Sequence, residues 1–138
     1  MIVSRQLRVK TRGNGDTIDI TPGVERAIAA ANLASGIVTL FVVGSTAALT
    51  TIEYEDGAVS DLGRAIERFA PRSMEYEHHL RWGDDNGHSH VRAALLGPSL
   101  SVPFVDGRLT LGTRQQIILV DFDMRPRQRE IAAQIIGE

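Results

Sequence analysis

The chain has no cysteine and a single lysine, Lys10. Without thiols there are no disulfide staples and no thiolate metal ligands, so any metal must be held by nitrogen and oxygen donors. The other fourteen of the 15 basic residues are arginines. They run along the whole sequence, which marks a compositional bias more than one basic patch. Aromatic residues make up only 5% of the chain. No segment approaches the roughly 20 apolar residues that a membrane-crossing helix needs. The opening residues, MIVSRQLRVK, place charge where a secretion signal carries an apolar run. A cytoplasmic location without a membrane partner is therefore expected. A formal net charge of −2 lacks the basic excess of a dedicated nucleic-acid binder.

What is present is enough for one domain. A chain of 138 residues with 43% apolar content buries roughly 68–70% of its unfolded surface, so a real core is available. Residues 2–10 read as a strand with Leu7 and Val9 on one face, 11-TRGNGD-16 as a turn, and 17–20 as a short strand. Thr21-Pro22 is a helix start, and Val24, Ala27, Ile28 and Ala31 recur at helical spacing, predicting a helix over 22–34 before Gly36. The run 37-IVTLFVV-43 is apolar and β-branched, as in a strand buried on both faces. Leu62, Ala65, Ile66 and Phe69 predict a second helix over 58–69, closed by Pro71, and 90–96 a short third one ending at Gly97. Asp106-Gly107 is a favoured two-residue hairpin turn, so 99–105 and 108–111 should pair antiparallel. Strands follow at 116–122 and 130–136. The expected class is α+β: one compact domain of mostly antiparallel sheet with two or three helices.

All four histidines fall in 76-YEHHLRWGDDNGHSHVRA-93. His88 and His90 stand two apart and converge only in a strand or turn; on a helix they face nearly opposite ways. His78 lies ten residues before His88, a loop length that can bring three imidazoles round one zinc ion. The same residues also suit a surface loop with no common partner, and His79 points away from His78 on an extended chain. Gly44-Ser45-Thr46 ends the buried strand with backbone donors and hydroxyls that can cradle an anion. It equally suits a tight turn of small residues. Glu53 has the chemistry of a base, a ligand or an ion-pair partner. In 112-GTRQQ-116, Thr113, Arg114 and Gln115 offer donors, and 125-RPRQR-129 places three arginines in five residues, which could grip phosphate but ordinarily form a solvated turn.

In order along the chain come Gly-Ser-Thr-Ala-Ala-Leu-Thr…Glu, Tyr-Glu-His, Asp-x-Asn-x-x-Ser-His, Leu-Gly-Pro-Ser…Val-Pro, Gly-x-Leu-x-Leu-Gly-Thr-x-Gln and a final Gly-Glu. This series resembles the YjbQ family from about residue 2 onward. The resemblance implies a small α+β domain that assembles as a homotrimer and a secondary thiamine-phosphate synthase activity. That reaction joins a pyrimidine pyrophosphate to a thiazole phosphate in a site between subunits. Carried over position by position, the resemblance picks out Glu53, His78, Asp84, Asn86, His90, Ser99, Gly112, Thr113 and Gln115.

The expected roles follow. Glu53, Asp84 and His90 are catalytic. Gly44, Ser45, Thr46, Asn86, Ser99, Thr113, Arg114 and Gln115 bind the phosphorylated metabolite, with Arg114 neutralising charge. Two positions depart from the family. Gly44 stands where the family is similar to histidine, and Arg114 where it is similar to tryptophan. The expectation is that His88 supplies the missing imidazole, completing a divalent-metal site, zinc or magnesium, with His78 and His90. The alternatives are a metal-dependent hydrolase of a small phosphorylated substrate and a non-catalytic trimeric metabolite-binding protein.

Overall fold

The computed structural model describes residues 1–138. Twelve elements follow one another: β1 (Ile2–Thr11), β2 (Asp16–Asp19), α1 (Thr21–Ala31), β3 (Gly36–Val43), β4 (Ala47–Ile52), α2 (Asp56–Phe69), α3 (Glu77–Trp82), α4 (Gly87–Leu96), β5 (Ser99–Val105), β6 (Arg108–Leu109), β7 (Gln116–Asp121) and β8 (Arg127–Gly137). They form a five-stranded sheet, β1-β8-β3-β5-β6, and a three-stranded sheet, β2-β7-β4. Every strand pair is antiparallel. The class is α+β, as the sequence predicts.

Alternation along the strands explains the layering. In β3, Val38, Leu40 and Val42 are buried while Ile37, Phe41 and Val43 face outward. The five-stranded sheet thus has one face on the core and one bare face. The three-stranded sheet is buried on both. Ile117 and Leu119 of β7 join Ala47 and Leu49 of β4 in the core shared with the large sheet and α1. Ile118 and Val120, with Ala48 and Phe122, meet Ile66 of α2 and Ala93 of α4 on the other side. The small sheet is therefore the middle layer of three.

Several boundaries differ from the sequence reading. There are four helices, because 77–82 is helical and α4 begins at Gly87. The stretch after Gly44-Ser45-Thr46 is strand β4, and β8 begins at Arg127, before the expected 130. The helix start is set by Asp19, whose carboxylate accepts the Thr21 N–H at 2.9 Å. The Thr21 hydroxyl instead accepts the Ile117 N–H at 2.8 Å, tying the helix to β7.

The candidate site at one end of the middle sheet

Strands β4 and β7 pair with Ala47 opposite Asp121 and Ile52 opposite Gln116. Their paired length, at about 3.3 Å per residue, is roughly 17–20 Å. Polar residues gather at both ends, and that length keeps the two sets apart within one chain.

The first end is built round Asp123. Its Oδ2 accepts from Thr46 Oγ1 at 2.9 Å and Asn86 Nδ2 at 3.4 Å, and lies 3.2 Å from Arg127 Nη2. Burial alone would raise this carboxyl. The Thr46 hydroxyl, the Arg125 N–H and Arg127 outweigh that effect and hold it below the ordinary aspartate range. Beside it, Arg129 grips Asp121 with Nε at 2.7 Å and Nη2 at 2.9 Å, and Nη2 also donates to Thr46 Oγ1 at 2.6 Å. Thr11 Oγ1 adds a bond to Asp121 Oδ2 at 2.6 Å. Strands β1, β4 and β8, the end of β7 and the start of α4 are thereby fixed to one buried polar knot.

The imidazoles sit beside this knot. His78 and His90 have ring centroids 4.4 Å apart. His78 Nδ1 lies 3.2 Å from Asp84 Oδ1, close but without an aligned hydrogen bond. His90 meets the Ser45 backbone. Burial and the neighbouring His78 lower the His90 pKa against opposing pulls from Asp84, Asp123 and Ser45. Burial thus favours the neutral form of His90. Two residues earlier on the same helix, His88 turns the other way, against Tyr76, with ring centroids 6.4 Å apart. It is buried, its Nδ1 has no partner, and burial followed by Arg92 and Arg72 depresses its pKa. His79 accepts the Gly87 N–H at 3.2 Å and so pins the start of α4.

Thus His78, Asp84, Asn86 and His90 come together with Ser45 and Thr46. His88 does not join them, because α4 already begins at Gly87 and a helix sends positions 88 and 90 to nearly opposite sides. The replacement of the missing family imidazole by His88 is corrected accordingly. No three His, Asp or Glu side chains converge to hold an ion. Within one chain the two imidazoles, with Asp84 behind one of them, fall short of the three protein ligands usual in a catalytic zinc site.

The other expected residues lie at the far end of the β4–β7 pair. Gln115 donates to Thr51 Oγ1 at 3.1 Å and accepts the Gly112 N–H at 3.0 Å. Ser99, Thr51 and Gln115 line a cleft of about 400 Å³. Thr113 lines an adjoining cleft of about 540 Å³ that Gln115 also borders. Arg114 and Glu53 face each other at 4.0 Å on the surface. No hydrogen bond or ion pair joins this set to the histidine end.

Asp121 and Asp123 escaped the sequence reading, and Arg129 was read with 125-RPRQR-129 as ordinarily solvated, because charged residues in a short C-terminal stretch usually are. A signal was present: 121-DFD-123 and 127-RQR-129 each repeat one charge at the period of a strand, directly beside buried apolar runs.

A two-sheet α+β domain with an imidazole pair over a buried Asp/Arg knot defines a small protein built round one polar end. The UPF0047 protein YjbQ-like family matches residues 5–138, and the chain belongs to that family. It is 33% identical to a UPF0047 protein of Methanothermobacter thermautotrophicus over 99% of this chain and 94% of that one. It is 36% identical to one from Archaeoglobus fulgidus, covering 91% and 95%. Among solved structures, a YbjQ-like protein of unknown function from Sulfolobus solfataricus superposes with a TM-score of 0.94 at 34% identity, covering 100% and 99%. A hypothetical protein from Aeropyrum pernix gives 0.91 at 29%, covering 99% of each. No helix of the chain is long and apolar enough to cross a membrane.

Proposed function

We propose that the chain is an enzyme acting on a small phosphorylated metabolite, with His78 and His90 exchanging the proton of the reaction. The observation that carries this reading is the imidazole pair at 4.4 Å, one ring beside the Asp84 carboxylate and the other shifted by burial towards its neutral form. Two titratable groups in unlike surroundings are the usual basis of acid and base roles at one pH. His78, with Asp84 3.2 Å behind it, is the donor, and His90 relays the proton.

The reaction we assign is the joining of a pyrimidine pyrophosphate to a thiazole phosphate. The thiazole nitrogen forms the new bond to the pyrimidine methylene carbon as the bond from that carbon to the pyrophosphate oxygen breaks. The departing oxygen takes up the electron pair and a proton from His78, which is then reprotonated from solvent through His90, its ring 4.4 Å away. No step is routed through a metal.

The working site is assigned to a homotrimer, where one chain's histidine end meets another's Ser99, Thr113 and Gln115. Two observations support the assembly. The sets lie at opposite ends of one strand pair. On the bare face of the large sheet, Ile37, Phe41, Val43, Val105 and Ile136 are each about half exposed, an apolar area that asks for a cover.

The test is synthesis of thiamine phosphate from the two substrates by the purified protein. His90→Ala should lower turnover by about 10²–10⁴-fold, the usual range for general acid–base catalysis, with the melting temperature nearly unchanged. Wild-type protein that makes no product from the two substrates overturns the synthase reading. Release of phosphate from a panel of esters would then assign hydrolysis.

A further inference from the structure

Gly44 and Arg129 share a feature that the polar knot does not require. The Arg129 side chain is 9% exposed. Its Nε and Nη2 are fully engaged by Asp121 and Thr46, while Nη1 donates to nothing in the chain. That free nitrogen lies against Gly44, where an added Cβ would stand 2.6 Å from it. The guanidinium cannot swing aside, because the fork to Asp121 fixes its plane. Gly44 is itself on the surface, with a φ of +129° that side-chain-bearing residues rarely adopt. The glycine thus leaves a window over an immobilised donor, next to the Ser45 backbone that meets His90.

A second unused group points the same way. Asn86 spends its Nδ2 on the Asp123 oxygen that Thr46 also holds, and its buried Oδ1 has no donor. A donor and an acceptor therefore stand unused around one carboxylate. A phosphoryl group with one protonated oxygen complements both. The charges beneath are balanced, Asp121 and Asp123 against Arg127 and Arg129. The knot would therefore bind such a group by directed hydrogen bonds more than by surplus charge.

We propose that Arg129 Nη1, reached across Gly44, receives a phosphoryl oxygen of the ligand, a phosphate or pyrophosphate group. This inference rests on the reading of the site as one for a phosphorylated metabolite and adds the residue that holds the phosphoryl end. Arg114, the guanidinium the sequence suggested for that task, lies at the far end beside Glu53.

The experiment titrates inorganic pyrophosphate into protein with ¹⁵N-labelled arginine and follows the guanidinium signals. Calorimetry is then run on wild type, Arg129→Lys and, as a control, Arg64→Ala, an exposed arginine paired with Asp61 on α2, at a temperature where each is folded. The expected result is a shift of the Arg129 Nη signals on binding. Arg129→Lys should weaken affinity about ten- to hundred-fold, the range of a hydrogen bond between charged groups, and Arg64→Ala by less than about threefold. Pyrophosphate that shifts Arg127 and leaves Arg129 untouched, or that fails to bind at millimolar concentration, overturns the inference. If Arg129→Lys does not fold, the labelled wild type decides alone. Binding at Arg129 without any synthesis retires the reaction and keeps the phosphoryl site.

Discussion

Replacing Thr46 by valine removes one oxygen and keeps the shape. In the folded protein that oxygen donates to Asp123 at 2.9 Å and accepts from Arg129 at 2.6 Å, at a residue only 4% exposed. Both partners are charged, and a hydrogen bond to a charged group contributes about 1.5–3 kcal/mol. The losses are softened because Arg129 keeps Asp121, and Asp123 keeps Asn86 and Arg127. A net cost of about 2–4 kcal/mol follows. For a chain of this length, at about 4 °C per kcal/mol, the melting temperature should fall by about 8–16 °C. Urea titration with an unchanged m-value is the assay. Thr39→Val is the control, since its hydroxyl pairs with Ser101 on the exposed sheet face; there the change should stay within about 0.5 kcal/mol. A Thr46→Val variant as stable as the Thr39→Val one would refute the view that the Asp123 knot is a buried, tightly satisfied network.

Acid should weaken the fold through His88. Its folded pKa is depressed, so below the unfolded value of about 6.5 the unfolded chain takes up a proton that the folded one refuses. Stability is then lost as pH falls from that value towards the folded pKa. His88→Phe should flatten this slope in denaturation curves between pH 5 and pH 7, and an unchanged slope would place the sensitive group elsewhere. On the bare sheet face, Ile37→Glu with Phe41→Glu should convert the proposed homotrimer to a 15.1 kDa monomer in light scattering while circular dichroism is retained. Assembly that survives both charges would move the interface off this face.

Much of the frame was legible from pattern alone. Pro22 and the helical spacing behind it located α1, and Asp106-Gly107 marked the β5–β6 turn with Asp106 at positive φ. Strand β4 was not legible, since 47-AALTTI-52 lies in the middle layer and lacks the in-out alternation of a half-buried strand. Helix α3 was hidden too, because 77-EHHLRW-82 buries no residue. That error carried into the site. Reading 76–89 as a loop allowed His88 to converge with His90, and the helix forbids it. The pairing of His78 with His90 and Asp84 was within reach of spacing. The Asp121–Arg129 pair was not, because it joins strands of different sheets that only tertiary structure brings together.

The position of β8 bears on how the protein is made. Its residues come last in sequence yet lie between β1 and β3, paired with both. Until residues 127–137 leave the ribosome, β3 keeps one open edge and β1 has no partner at all. Contacts of such wide sequence separation slow folding and expose nascent chains to aggregation. The same late segment delivers Arg127 and Arg129, so backbone closure and completion of the polar end are a single event during synthesis.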